Sequence, residues 1–188
     1  MTKIYLLTGD YAENSSFIEN YPNGTESIIG RSMEQHWLPF QDYNPIILEL
    51  HASNTGKKNY KFDFCGSLIP FCIFSEKALD ILKSILLPHG QLLDVITDSK
   101  RKKYFGYYPT NKYPKGILDL EKSNYKEYPN GLLIRKAVLK KDKLPKDDIF
   151  CIEEDFSRIY VTENFKNIVE SSGLLGFCFD KNSEIELS

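Results

Sequence analysis

At 188 residues, with 41% apolar, 27% charged and 13% aromatic content, the chain has the profile of an ordinary folded domain, which excludes a disordered, fibrous or membrane-embedded one. A chain of this length buries enough surface to hold a core without disulfides or metal. The formal net charge of −2 excludes generic affinity for nucleic acid or anionic membranes, since both need a basic excess.

In chain order, Met1–Asp10 has only four apolar residues in a row, too few for a secretory signal, and reads as a strand. Tyr21-Pro22-Asn23-Gly24 is a turn, because Pro fixes one backbone angle while Asn and Gly tolerate positive φ. Pro45–Leu50 is a strand rich in branched residues. Ser53–Asn59 is the natural hinge if residues 1–58 pack as a separate lobe, although a single domain over 1–188 is expected. The longest uncharged run, Phe64–Ser75, is 12 residues and is broken by Gly66 and Pro70, whereas a membrane span needs about 20. A cytoplasmic protein is therefore expected, with no membrane partner.

A first helix follows that run. Ser75 offers an N-cap oxygen, Glu76 complements the dipole, and Ala78, Leu79, Leu82, Ile85 and Leu86 recur at helical spacing until Pro88 and Gly90. Tyr104–Tyr108, Leu132–Leu139 and Ile149–Ile152 read as strands, and Tyr128-Pro129-Asn130-Gly131 repeats the earlier turn tetrapeptide. Arg158–Val161 then runs into Thr162, Glu163 and a second amphipathic helix carrying Phe165, Ile168 and Val169, closed by Gly173. The fold class expected is α+β: one domain of mostly antiparallel short strands with two or more short amphipathic helices. The strand–cap–helix unit occurs at both Ser75 and Thr162, but such units are common enough that the recurrence alone is set down to coincidence.

Charge is segregated: 7 basic against 12 acidic residues over 1–99, 14 against 4 over 100–146, and 3 against 10 over 147–188. Such asymmetry bears on partners. The run Glu153-Glu154-Asp155 is its sharpest point, readable as a docking patch for a basic partner or as a solvated turn. Lys100–Lys103 beside Tyr104, Phe105, Tyr107 and Tyr108 mixes cations with aromatics. Lysine outnumbers arginine 20 to 4, however, so nucleic acid is disfavoured and a hairpin with rings on one face and lysines on the other is preferred. Tyr107, Tyr108 and Tyr113 are interface candidates.

Chemistry-bearing motifs are missing. Neither GxGxxG, GxxxxGK[ST], HExxH nor GxSxG occurs, and His36, His51 and His89 stand apart. Cys65, Cys72, Cys151 and Cys178 lack zinc spacing and read as reduced thiols. No cofactor, metal or catalytic residue is assigned. An enzyme or small-ligand domain with a site assembled from distant residues is the alternative to a binding protein.

Several spaced elements resemble one family. They are the apolar stretch into Ser75-Glu76-Lys77-Ala78; a tyrosine-rich strand; Leu118-Asp119-Leu120-Glu121-Lys122-Ser123; Ile149-Phe150; Ile159-Tyr160-Val161-Thr162-Glu163; and Leu175-Gly176-Phe177-Cys178-Phe179. In this order they resemble the immunity-protein family of bacterial polymorphic toxin systems, the eleventh of the numbered immunity families and formerly a domain of unknown function. The resemblance covers roughly residues 60–180 and leaves the first ~60 outside. It implies a cytoplasmic antitoxin that binds a cognate toxin domain and blocks it without catalysis. Separately from the resemblance, a second copy of the chain, giving a homodimer, is a further candidate partner. If the toxin is basic, Glu153, Glu154 and Asp155 are the expected contacts. Ser75, Asp119, Ser123, Thr162 and Gly176 match the family's motifs and are read as structural, Ser and Asp being able to fix nearby backbone.

Overall fold

A computed structural model describes residues 3–129 and 131–188. Met1 and Thr2 of the first expected strand and Asn130 of the second Tyr-Pro-Asn-Gly turn lie outside the described residues. The elements run β1 (Ile4–Leu6), β2 (Thr8–Gly9), β3 (Ser16–Asn20), α1 (Ile28–Glu34), β4 (Ile46–His51), β5 (Phe64–Cys65), β6 (Cys72–Ser75), α2 (Glu76–Leu86) and β7 (Gly90–Thr97). They continue β8 (Tyr104–Pro109), β9 (Lys112–Tyr113), β10 (Asn124–Tyr128), β11 (Gly131–Lys136), β12 (Val138–Leu139), β13 (Ile149–Ile152), β14 (Asp155–Thr162), α3 (Glu163–Ser171), β15 (Phe177–Cys178) and β16 (Glu184–Leu187).

Two six-stranded sheets dominate, in the orders β3-β4-β7-β8-β6-β5 and β12-β16-β1-β14-β13-β9. The α+β class holds. Three pairs are parallel rather than antiparallel: β4 with β7, β12 with β16, and β13 with β9. The larger core joins both sheets through Phe74, Tyr107, Ile149, Val161, α2 and α3. A smaller one, with Ile4, Phe150, Ile152 and Tyr160, lies under Ile117, Leu118 and Ile134. The stretch expected as one strand, Leu132–Leu139, is two. Ala137 separates β11, which pairs with β10, from β12, which pairs with β16, so the chain changes partner there.

Both expected helices form where their caps predict. Ser75 Oγ accepts from Ala78 N at 3.1 Å and Thr162 Oγ1 from Phe165 N at 3.4 Å. The correspondence between these units extends well past the caps. The backbone N–H of Ser75 donates to Asp63 O and its hydroxyl to Asp63 Oδ1, while Thr162 makes the same two bonds to Asp148. Glu76 N donates to Lys103 O and Glu163 N to Lys3 O, each at 3.0 Å. Phe64 pairs with Phe74 as Ile149 pairs with Val161, and Ser75 with Tyr104 as Thr162 with Ile4. Beyond them β7 and β16 are antiparallel to β8 and β1, and β4 and β12 are parallel to β7 and β16. The two sheets thus share one plan, with β1 supplying in the second the strand that β8 supplies in the first. Coincidence does not account for a register held over five strands.

Candidate functional site

The acidic run sits at the tip of the β13–β14 hairpin, but it is not a solvated patch. Asp155 keeps only 1% of its surface exposed. Its Oδ1 accepts from the backbone N–H groups of Ser157 (3.0 Å) and Arg158 (3.1 Å) and from the Ser157 hydroxyl (2.9 Å). Its Oδ2 accepts from the Arg158 guanidinium at 3.2 Å and the Tyr160 hydroxyl at 3.1 Å. Asp155 is therefore an internal hub and not the partner contact expected. Glu154 is 9% exposed; Gly116 N donates to its Oε1 at 2.6 Å, and its Oε2 is shut off from solvent without a donor. Glu153 alone is partly exposed.

Tyr107 and Tyr108 are fully buried, which overturns their reading as interface residues. Their hydroxyls donate to Leu86 O at 2.9 Å and Ser32 O at 2.8 Å, and burial pushes both phenols up from their ordinary range. Strand β8 is covered on both faces, so the expected hairpin with rings on one side and lysines on the other is not what forms. Lys100–Lys103 lie in the bend that joins β7 to β8. Tyr113 is half-buried, its hydroxyl donates to Asp147, and burial followed by that carboxylate pushes its phenol up to about 12. Cys65, Cys72 and Cys151 are buried and Cys178 is half-buried, and burial pushes the first three thiols up.

The residues expected to be structural, Ser75, Asp119, Ser123, Thr162 and Gly176, all meet backbone. Asp119 Oδ1 accepts from Glu121 N and Lys122 N, while Ser123 Oγ accepts from Val138 N at 2.9 Å, tying that loop to β12. Gly176 has φ +98°, and a Cβ there would lie 2.2 Å from Phe64 O. Ser75 and Thr162 are the helix caps described above.

Behind the acidic hairpin tip lies a cleft of about 430 Å³, which no sequence motif announces. Its inner wall is Trp37, whose indole Nε1–H donates to Asp155 O at 3.0 Å and whose backbone N–H donates to the Tyr108 hydroxyl at 2.8 Å. His36 (φ +49°) and Trp37 (φ +67°) are consecutive left-handed residues, costly without glycine and held there by these bonds. The His36 ring lies 4.6 Å from that of Phe156, and Glu153, Glu154, Leu120, Leu132, Lys112 and Lys115 complete the lining.

A second feature is the uncovered face of the first sheet. Helix α2 covers one half; on the other, Ile18, Ile47, Leu92 and Ile96 are exposed, with Ile47 directly beside Ile96. Glu49 and Asp94 share this face, and β3, β4 and β7 contain no lysine or arginine. The shared plan of the sheets provides an internal comparison. Glu184 and Asp94 occupy equivalent positions opposite Tyr5 and Phe105, so Ile96 stands where the second sheet has the exposed Glu186. The fold therefore does not require an isoleucine there. Alongside, a groove of about 230 Å³ at the edge of α2 exposes Leu87 and Leu92 between the acids Glu76 and Asp80 and one lysine, Lys83.

Among the described residues no cluster of three or more His, Cys, Asp or Glu is placed to hold a metal, and no helix is long and apolar enough to cross a membrane. No protein-family model matches the chain, and no curated protein matches it.

Proposed function

We propose that the protein is a cytoplasmic immunity protein of a polymorphic toxin system, which docks a cognate basic toxin domain on the open face of its first sheet and blocks it by covering it. The observation that carries the reading is that face: four exposed aliphatic side chains interspersed with Glu49 and Asp94, on three strands without lysine or arginine. Aliphatic side chains gathered on one open sheet face, with carboxylates among them, suit a protein interface. The two carboxylates favour a partner rich in lysine and arginine and speed its encounter. The resemblance of residues 60–180 to the immunity family supports the same class, and the face adds β3 and β4, which lie outside that resemblance. No catalysis is required of any residue.

The test is co-expression with the C-terminal domain of the protein encoded immediately upstream, scored by cell survival and by affinity of the purified pair. The double variant Ile47→Lys/Asp94→Lys changes only exposed positions. It should melt within a few degrees of the parent yet lose rescue and bind about 100-fold more weakly. Rescue and affinity unchanged in that variant would remove the face from the proposal.

A further inference from the structure

The cleft behind the hairpin tip is a separate site, unused by a partner on the open face, and its residues point to a small ligand. We propose that it binds an organic ammonium ion carried on an aromatic or apolar body. At about 430 Å³ it falls in the size range of small-molecule pockets. Glu154 carries the argument: its side chain is nine-tenths buried and lines the cleft, one oxygen is occupied by Gly116 N, and the other has no donor. Among the described residues that acceptor has no partner, and because it is closed off from solvent a ligand reaches it by turning the carboxylate toward the cleft, where an ammonium brings up to three N–H donors with the matching charge.

Glu153 adds a second carboxylate, and among the described residues neither glutamate is ion-paired. Phe156 and His36 supply accessible rings that attract a cation, with the buried Trp37 behind them, and Leu120 and Leu132 supply apolar wall for the body that carries it. Lys112 and Lys115 are exposed, so cationic side chains flank the mouth while the carboxylate of Glu154 lies deep. An anionic ligand would have to bring its charge against that buried carboxylate. The left-handed backbone at His36 and Trp37 is fixed by hydrogen bonds to Tyr108 and Asp155, so the ring wall is rigid before any ligand arrives.

The experiment titrates the full chain with phenethylamine by calorimetry and thermal shift, with 3-phenylpropanoate as the carboxylate of matching shape. Phenethylamine should bind saturably and raise the melting temperature, and 3-phenylpropanoate should do neither. Glu154→Gln keeps an acceptor for Gly116 N and removes the buried charge, so it should fold and weaken amine binding by about tenfold or more. No saturable amine binding up to about 10 mM, equal binding of the carboxylate, or unchanged amine affinity in Glu154→Gln would overturn the proposal. The comparison of the two ligands on the parent protein decides it even without the variant.

Discussion

Replacing Asp155 by alanine tests the view that this residue belongs to the interior. The side chain is 2% exposed and accepts five hydrogen bonds, two of them from the Tyr160 hydroxyl and the Arg158 guanidinium, whose own side chain is 22% exposed. Removing one member of a buried ion pair strands the other and costs about 3–5 kcal/mol. Each stranded neutral donor adds to that, but the bonds share one hub and do not sum. For a chain of this size 1 kcal/mol is worth about 2–4 °C, so Asp155→Ala should melt roughly 6–20 °C lower. Trp37 is the only tryptophan, and its indole donates to Asp155 O, so its fluorescence during urea unfolding reports on the hub itself. By contrast, breaking the exposed pair Lys136–Glu186 should cost no more than about 1 kcal/mol. A loss below about 1 kcal/mol for Asp155→Ala, with the urea dependence unchanged, would refute the assignment. The same reasoning warns that charge reversal across Glu153–Asp155 would abolish partner binding by unfolding the hairpin and not by removing a contact.

Two further outcomes follow from positions near the caps. Burial alone would raise the Asp63 carboxyl, but Lys102 at 2.7 Å, Leu175 N and the Ser75 hydroxyl together hold it below its ordinary 3.8. A carboxylate lowered by folding contributes stability that is fully present above its unfolded value and is lost as pH falls through the folded one. The advantage of the parent over Asp63→Asn in urea unfolding should therefore be steady near neutrality and shrink below about pH 4; an advantage growing with acid would contradict the sign. Gly176→Ala combines a left-handed φ with a Cβ 2.2 Å from Phe64 O, whereas Gly56→Ala, at φ +80°, meets nothing within 4 Å. Thermal melting should show the first costing well over about 1 kcal/mol and the second distinctly less.

What could be read from the letters was local. Ser75 and Thr162, each followed by Glu and an apolar stripe, announce α2 and α3 because cap and stripe lie within one helix. Helix α1 has the same kind of cap at Ser27, but its seven residues include Gly30 and bury only Ile28 and Ser32, too few to show a period. The misreadings were all of partner and depth. Tyr107 and Tyr108 look like interface rings until β8 is placed between β7 and β6. Glu153-Glu154-Asp155 looks solvated because no periodicity in the sequence shows that Asp155 turns back to accept from Ser157, Arg158 and Tyr160 of its own strand. The cleft draws on the turn after α1, on β9, on β11 and on the hairpin tip, and no window of sequence holds those together.

The placement of β1 has a consequence for the order of assembly. In the second sheet it lies between β14 and β16, so among the described residues it pairs with strands that follow it far along the sequence. The first sheet draws all six strands from residues 16–109 and can close while the rest is still being translated. Closing the second requires a loop of nearly the whole chain, a step of high contact order that is slow relative to local pairing. Until it happens, β1 is an apolar strand without its ladder partners.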